Sequence, residues 1–203
     1  MLRYILLIII LLPKDILSQN ILIKNGTILT VTNGVKENTD ILIINGKIAK
    51  IDKNLTAPEG TRIVDANNQY VMPGIIDAHS HIALDVINEA TSPVTAEVNV
   101  GDVLDPLDVA IYRALAGGVT ISHAMHGSAN AIGGQCETIK HRFGTTNPDD
   151  LRMQGAPRTI KFALGENPIR THGEGNKISP NTRMGVEQIF RNAFSQAQLY
   201  MKE

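Results

Sequence analysis

The chain opens on an unbroken apolar run from Tyr4 to Leu12, preceded by Arg3 and broken by Pro13. A positive charge before a short apolar stretch has the layout of a secretory signal, and the run falls far short of the ~20 residues a spanning helix needs. Cleavage is expected near Ser18 or Gln19. An uncleaved membrane tether is the alternative, because Lys14 and Asp15 follow almost at once. From Ile21 to Met72 the pattern changes to short β-branched runs at residues 21–23, 28–31, 41–44, 48–51 and 62–64, punctuated by Asn25-Gly26, Asn33-Gly34 and Asn45-Gly46. Asn and Gly tolerate the positive φ of two-residue turns, so residues 41–44 and 47–51 predict a hairpin about Asn45-Gly46. A β unit of about fifty residues has little core of its own, which predicts a sheet completed from elsewhere in the chain.

After Pro73-Gly74 strand and helix patterns alternate, predicting an α/β architecture with parallel strands. Residues 75–79 read as a short apolar strand. Residues 105–115 read as a helix capped by Asp105, with Pro106 in its first turn and Leu107, Ala110, Ile111, Ala114 and Leu115 on one face; Gly117-Gly118 ends it. Strands are expected at 119–122, 137–140 and 159–165, and a helical turn at 148–154. The last element is a helix with an apolar stripe of Val186, Ile189, Phe190, Ala193, Phe194, Ala197 and Met201.

Composition narrows the chemistry. The 203 residues are 43% hydrophobic and 19% charged with a net charge of -1, enough apolar material for a core and no basic stripe for nucleic acid. Cys136 is the single cysteine, which excludes an internal disulfide framework and a thiolate metal cluster. Any metal must therefore use histidine, carboxylate or modified lysine.

His79 and His81 alternate along one strand, so both imidazoles project from the same face and could share a cation, with Asp77 on that face to orient them. Alone, two histidines one residue apart are a weak signal. In the strand from Thr159 to Gly165, Ile160, Phe162 and Leu164 take one face and Thr159, Lys161 and Ala163 the other, which points Lys161 inward. An ammonium has no lone pair, so a protonated lysine cannot be a metal ligand. His123 and His126 close the strand that begins at Val119. The three glycines between Gly127 and Gln135 would permit close backbone approach to a ligand or make an ordinary flexible loop.

The segment Val71-Met72-Pro73-Gly74-Ile75-Ile76-Asp77-Ala78-His79-Ser80-His81 resembles the signature of the amidohydrolase superfamily, and the preceding β unit is similar to the small β-sandwich-type domain that its members compose from both chain ends. Leu115 to Thr120, followed by Gly127-Ser128-Ala129-Asn130, looks like the imidazolonepropionase-related branch. The resemblance implies a (β/α)8 TIM barrel with one or two divalent metals, usually zinc, at its C-terminal mouth. His79 and His81 would be the first ligands. Lys161, as a CO2-derived carbamate, would bridge to a second metal, with Glu166 as its rival. His123 and His126 would face a small-molecule substrate. His172, in a loop, receives no role, and the family's acid–base aspartate would lie beyond the chain end.

The implied reaction is hydrolysis of an amide or cyclic amide by water activated at the metal. A mononuclear aminohydrolase that deaminates a heterocycle, and a non-catalytic exported protein, are the alternatives. The expected layout is a signal at 1–18, a small β domain at 19–72 and the N-terminal half of the barrel at 73–203, since a full barrel takes ~250 residues. The final stripe runs to the chain end without a glycine cap, so an N-terminal fragment, poorly soluble and inactive by itself, is expected. No nucleic acid and no stable membrane span are expected. Export to the periplasm or cell exterior is.

Overall fold

The computed structural model describes residues 20–202, and the expected signal and its cleavage positions lie outside them. Two compact units meet in sequence between Pro73 and Gly74. In the first, β1 (Ile21–Leu29), β2 (Val35–Ile44), β3 (Lys47–Asp52) and β4 (Arg62–Asp65) form a sheet in the order β3-β2-β1-β4, and β5 (Tyr70–Val71) pairs with the far half of β1. The runs expected at 21–23 and 28–31 are one strand, irregular between Ile23 and Gly26, where Asn25 takes a φ of 62°. Its amide donates to the buried Asp40 carboxylate at 2.9 Å. The hairpin turns through Asn45 at φ 52° and Gly46 at φ 72°, pairing Ile44 with Lys47. Ile23, Ile43, Ile48 and Ile51 border an open cavity of about 570 Å³ in this unit.

In the second unit β6 (Ile75–Ser80) lies parallel to β7 (Val119–Ala124), with α1 (Val109–Ala116) connecting them. The next strand corrects the all-parallel expectation. β8 (Ile132–Lys140), longer than the expected 137–140, runs antiparallel to β7, and β9 (Thr159–Phe162) runs antiparallel to β8. Residues 125–131 are too few for a parallel crossover, which needs a dozen or more, so the chain turns straight back. β6, β7 and β9 consequently point the same way. Among the described residues the sheet is open and four-stranded, consistent with part of a barrel but not with a closed eight-stranded one. A single turn, α2 (Glu166–Pro168), a π-helical turn at Ile169–Gly175 and α3 (Arg183–Tyr200) follow. β9 stops three residues earlier than expected; Phe162 packs its ring 5.6 Å from Phe190 and 6.1 Å from Phe194 of α3.

α1 starts at Val109, later than the expected 105, because Asp108 is the residue that caps it. One oxygen accepts the Ala110 amide at 2.8 Å and the other the amide of buried Ala83 at 2.7 Å. Asp105 instead turns the chain ahead of the helix, accepting the Leu107 amide. Asp108→Ala thus removes a cap and strands a second amide. The expected loss is about 2–3 kcal/mol, measured by urea denaturation; a loss under about 0.5 kcal/mol would contradict this dual role. Ile111 of α1 joins Ala83, Leu104, Ala124, Ile139 and Leu151 in the core of this unit.

Candidate functional site

β6 and β9 bring together side chains that lie 82 positions apart in sequence: Lys161 Nζ sits 3.3 Å from His79 Nε2. Lys161 is 6% exposed, as the alternation in its strand predicts, with Ala163 also buried and Phe162 turned to α3. His81 lies just past the end of β6, its ring centroid 5.3 Å from that of His79 at an interplanar angle of 80°. His81 Nδ1 is 2.8 Å from the Met125 carbonyl oxygen. In the tautomer that donates this bond, Nε2 carries the free lone pair, the orientation by a backbone carbonyl that ligating histidines use. Asp77 accepts the His79 backbone amide at 3.1 Å, so it braces the strand just ahead of the two imidazoles.

The Lys161 ammonium is the foremost cause holding the His79 imidazole below the ordinary histidine range; desolvation and the nearby His81 act in the same direction, and Asp77 opposes them. A neutral imidazole is the form that offers a lone pair to a metal. Among the described residues no carboxylate forms an ion pair with Lys161, and no group of three or more His, Cys, Asp or Glu residues is arranged to hold a metal. Two imidazoles fit a zinc donor set, and the lysine fits it only if its nitrogen is no longer an ammonium.

The other histidines have different work. His123 is held between two hydroxyls, Nδ1 at 3.1 Å from Thr138 Oγ1 and Nε2 at 3.0 Å from Thr159 Oγ1. His126 is 2% exposed; its Nε2 accepts the Glu89 amide at 2.9 Å and its Nδ1 meets the Gly127 carbonyl at 2.9 Å. Both imidazoles therefore have their nitrogens engaged within the protein. Two of the three glycines in the 127–135 stretch make room for His126: a Cβ on Gly133 would stand 2.7 Å from its Nδ1, and one on Gly134 2.9 Å from its Cδ2. Glu166 is exposed and bonds Arg170 at 2.6 Å.

Two residues to which the sequence patterns gave no structural role hold the long segment after His81 in place. Asn130, fully buried, donates from its amide nitrogen to the Glu89 and Ser92 carbonyls at 2.6 and 2.7 Å. Arg152 bonds Glu137 at 2.7 Å, Asp149 at 2.9 Å and the Gly101 carbonyl at 2.7 Å. No local pattern marks such residues, because most of their partners lie 15 or more positions away.

His172 is fully buried in the π-helical turn, with Nδ1 3.5 Å from the Asn176 side chain, and burial lowers its pKa. The unfolded chain takes up this proton near pH ~6.5 and the folded chain only at lower pH. Stability is then full above about pH 6.5 and declines as pH falls toward the folded value. His172→Leu is expected to flatten that part of the curve of denaturation midpoint against pH. An unchanged slope would count against the assignment.

No family model matches the chain. Over 178 residues, 78% of this chain and 18% of the relative, it is 38% identical to the amidohydrolase tasK of Hapsidospora irregularis. Over 64 residues, 32% of this chain and 15% of the relative, it is 41% identical to a dihydroorotase of Citrifermentans bemidjiense. It superposes on the crystal structure of an amidohydrolase from Thermotoga maritima with a TM-score of 0.81 and 41% identity, covering 90% of this chain and 48% of that one. The chain spans less than a fifth of these curated relatives and about half of the solved one. Homology points to the metal-dependent amidohydrolase superfamily broadly, and lends nothing to the imidazolonepropionase-related branch. Among the described residues no helix is long and apolar enough to cross a membrane.

Proposed function

We propose that this chain belongs to a hydrolase of carbon–nitrogen bonds in non-peptide amides or cyclic amides, with His79, His81 and Lys161 as metal ligands. The observation that carries the reading is the approach of Lys161 Nζ to His79 Nε2 at 3.3 Å, beside an imidazole whose other nitrogen already bonds a carbonyl. A divalent metal, zinc above all for imidazole donors, supplies a Lewis acid that polarises the amide carbonyl and acidifies water. His79 and His81 would hold it through Nε2. In the net reaction water adds oxygen to the carbonyl carbon, the C–N bond breaks and the nitrogen takes a proton; a cyclic amide opens to one product carrying both groups.

Lys161 contributes as a carbamate: its neutral amine forms an N–C bond to CO2 and releases a proton, turning a buried cation into an anionic oxygen donor. Burying an ammonium without an anionic partner is costly, so its surroundings favour that exchange. Glu166, engaged with Arg170 on the surface, is the weaker candidate. The dihydroorotase likeness and the motifs of the imidazolonepropionase-related branch both favour a cyclic amide.

The zinc-loaded full-length protein, supplied with bicarbonate, is assayed for ring opening of six-membered cyclic amides and for hydrolysis of acyl amides. Isotopically labelled bicarbonate is expected to give a carbamate carbonyl signal that Lys161→Arg lacks. One metal per chain with release of ammonia from a heterocycle would favour a mononuclear deaminase instead. Neither signal nor turnover would favour a non-catalytic protein. We also propose export through the N-terminal apolar run, tested by N-terminal sequencing of the protein recovered outside the cytoplasm; the intact Met1 terminus on cytoplasmic material would oppose it.

A further inference from the structure

Residues 82–108, between His81 and α1, fold back onto the end of the sheet where His79 and His81 lie. The upper half of β8 extends past the end of β7, and there this segment takes over as its neighbour: Val94 bridges to Ile132 and Asn99 to Gln135. Thr95 donates its amide to the Ile132 carbonyl at 2.9 Å and Gln135 donates to Val98 at 2.7 Å. With the Asn130 bonds, these contacts give the segment a fixed backbone.

Between this segment and His126 lies a cavity of about 310 Å³, at the small end of the roughly 300–1,000 Å³ of small-molecule sites. Its walls include Val86, Ile87, Val98 and Val103, and its charged lining consists of Glu89 and Asp102 with no lysine or arginine. His126, both nitrogens engaged, adds no free donor. Its neighbour in sequence, Met125, bonds His81 through its carbonyl, so one residue of chain links the cavity wall to a candidate metal ligand.

We propose that this cavity receives an apolar side chain of the substrate and excludes a carboxylate. The inference rests on the hydrolase reading for the amide beside the cavity, and on the cavity's own lining for the chemistry. An aliphatic or aromatic group leaves water to meet valine and isoleucine. An anion entering there gives up its hydration, finds no cation among the lining residues, with only the side-chain amides of Asn88 and Asn99 as neutral donors, and shares the space with the carboxylates of Glu89 and Asp102. Selectivity of this kind combines an attractive wall with a repulsive rim.

The test uses the whole chain and three probes, N-acetyl-leucinamide, N-acetyl-leucine and N-acetyl-glycinamide, with binding followed by ligand-observed NMR. The leucinamide is expected to bind at least tenfold more tightly than either of the others. Val86, half exposed at the cavity wall, is replaced by tryptophan to fill the space, and Val86→Trp is expected to remove that advantage. Val109→Trp, on an exposed position of α1 outside the cavity, is expected to keep it. Glu89→Gln with Asp102→Asn is expected to narrow the gap between amide and acid. If Val86→Trp lowers the thermal midpoint, Val86→Thr, of similar size but polar, carries the same comparison. Equal binding of the three probes, or full selectivity in a folded cavity variant, overturns the proposal. Selective binding by the chain without any hydrolysis by the zinc-loaded full-length protein sinks the hydrolase reading alone, whereas turnover without selectivity sinks only the cavity assignment.

Discussion

His79→Ala or His81→Ala is expected to weaken zinc binding by more than the roughly 10–100-fold that loss of an outer partner costs a metal site. Each variant deletes one of two imidazoles whose ring centroids lie 5.3 Å apart, and among the described residues no group of three or more His, Cys, Asp or Glu is arranged to hold a metal in its place. His123→Ala serves as the comparison, because both its nitrogens already meet threonine hydroxyls. Calorimetric titration with zinc at neutral pH gives the measurement. Affinities within threefold of the parent in both variants would remove His79 and His81 from the site.

The second large effect is on stability. Ile139 is fully buried near the C-terminal end of β8, in one cluster with Ile111, Ala124 and Leu151. Ile139→Ala is expected to cost about 2–5 kcal/mol, the sum of lost transfer energy and an unfilled cavity. Against a typical total of roughly 5–15 kcal/mol, that is a large fraction. Ile139→Val should cost only about 0.5–1.5 kcal/mol. Paired urea denaturation curves give both numbers, and an alanine variant within about 0.5 kcal/mol of the parent would mean that β8 is not packed as described.

Local rules made the Asn45-Gly46 hairpin, the inward Lys161 and the Phe162 face legible, since each depends on side-chain alternation or on a turn whose φ values few residues accept. The meeting of His79 with Lys161 was legible only through the resemblance, because β6 and β9 stand at opposite ends of the strand order and only the course of the whole sheet brings them together. The reversal at β8 was missed because an apolar run looks the same read in either direction. Its sign was a connection too short for a crossover, which requires both strand ends to be known first. Helix α1 was placed early for a similar reason: Asp105 and Asp108 both suit a cap, and the Ala83 amide that selects Asp108 is 25 positions away. The packing of His126 was not legible: Gly133 and Gly134 leave room for its imidazole, whereas composition alone left a ligand approach and an ordinary loop both open.

Because β8 runs backwards, the stretch that follows it emerges at the end of the sheet remote from His79, near the Val119 carbonyl that His141 contacts. Arg142, Phe143 and Gly144 there are exposed, and Gly144 already takes a φ of 97°. Exposed loop tips accept added sequence most readily. A fluorophore-bearing or affinity peptide grafted beside Gly144 would therefore report on or capture the protein from its far side, leaving the metal-facing end unobstructed for titration and assay.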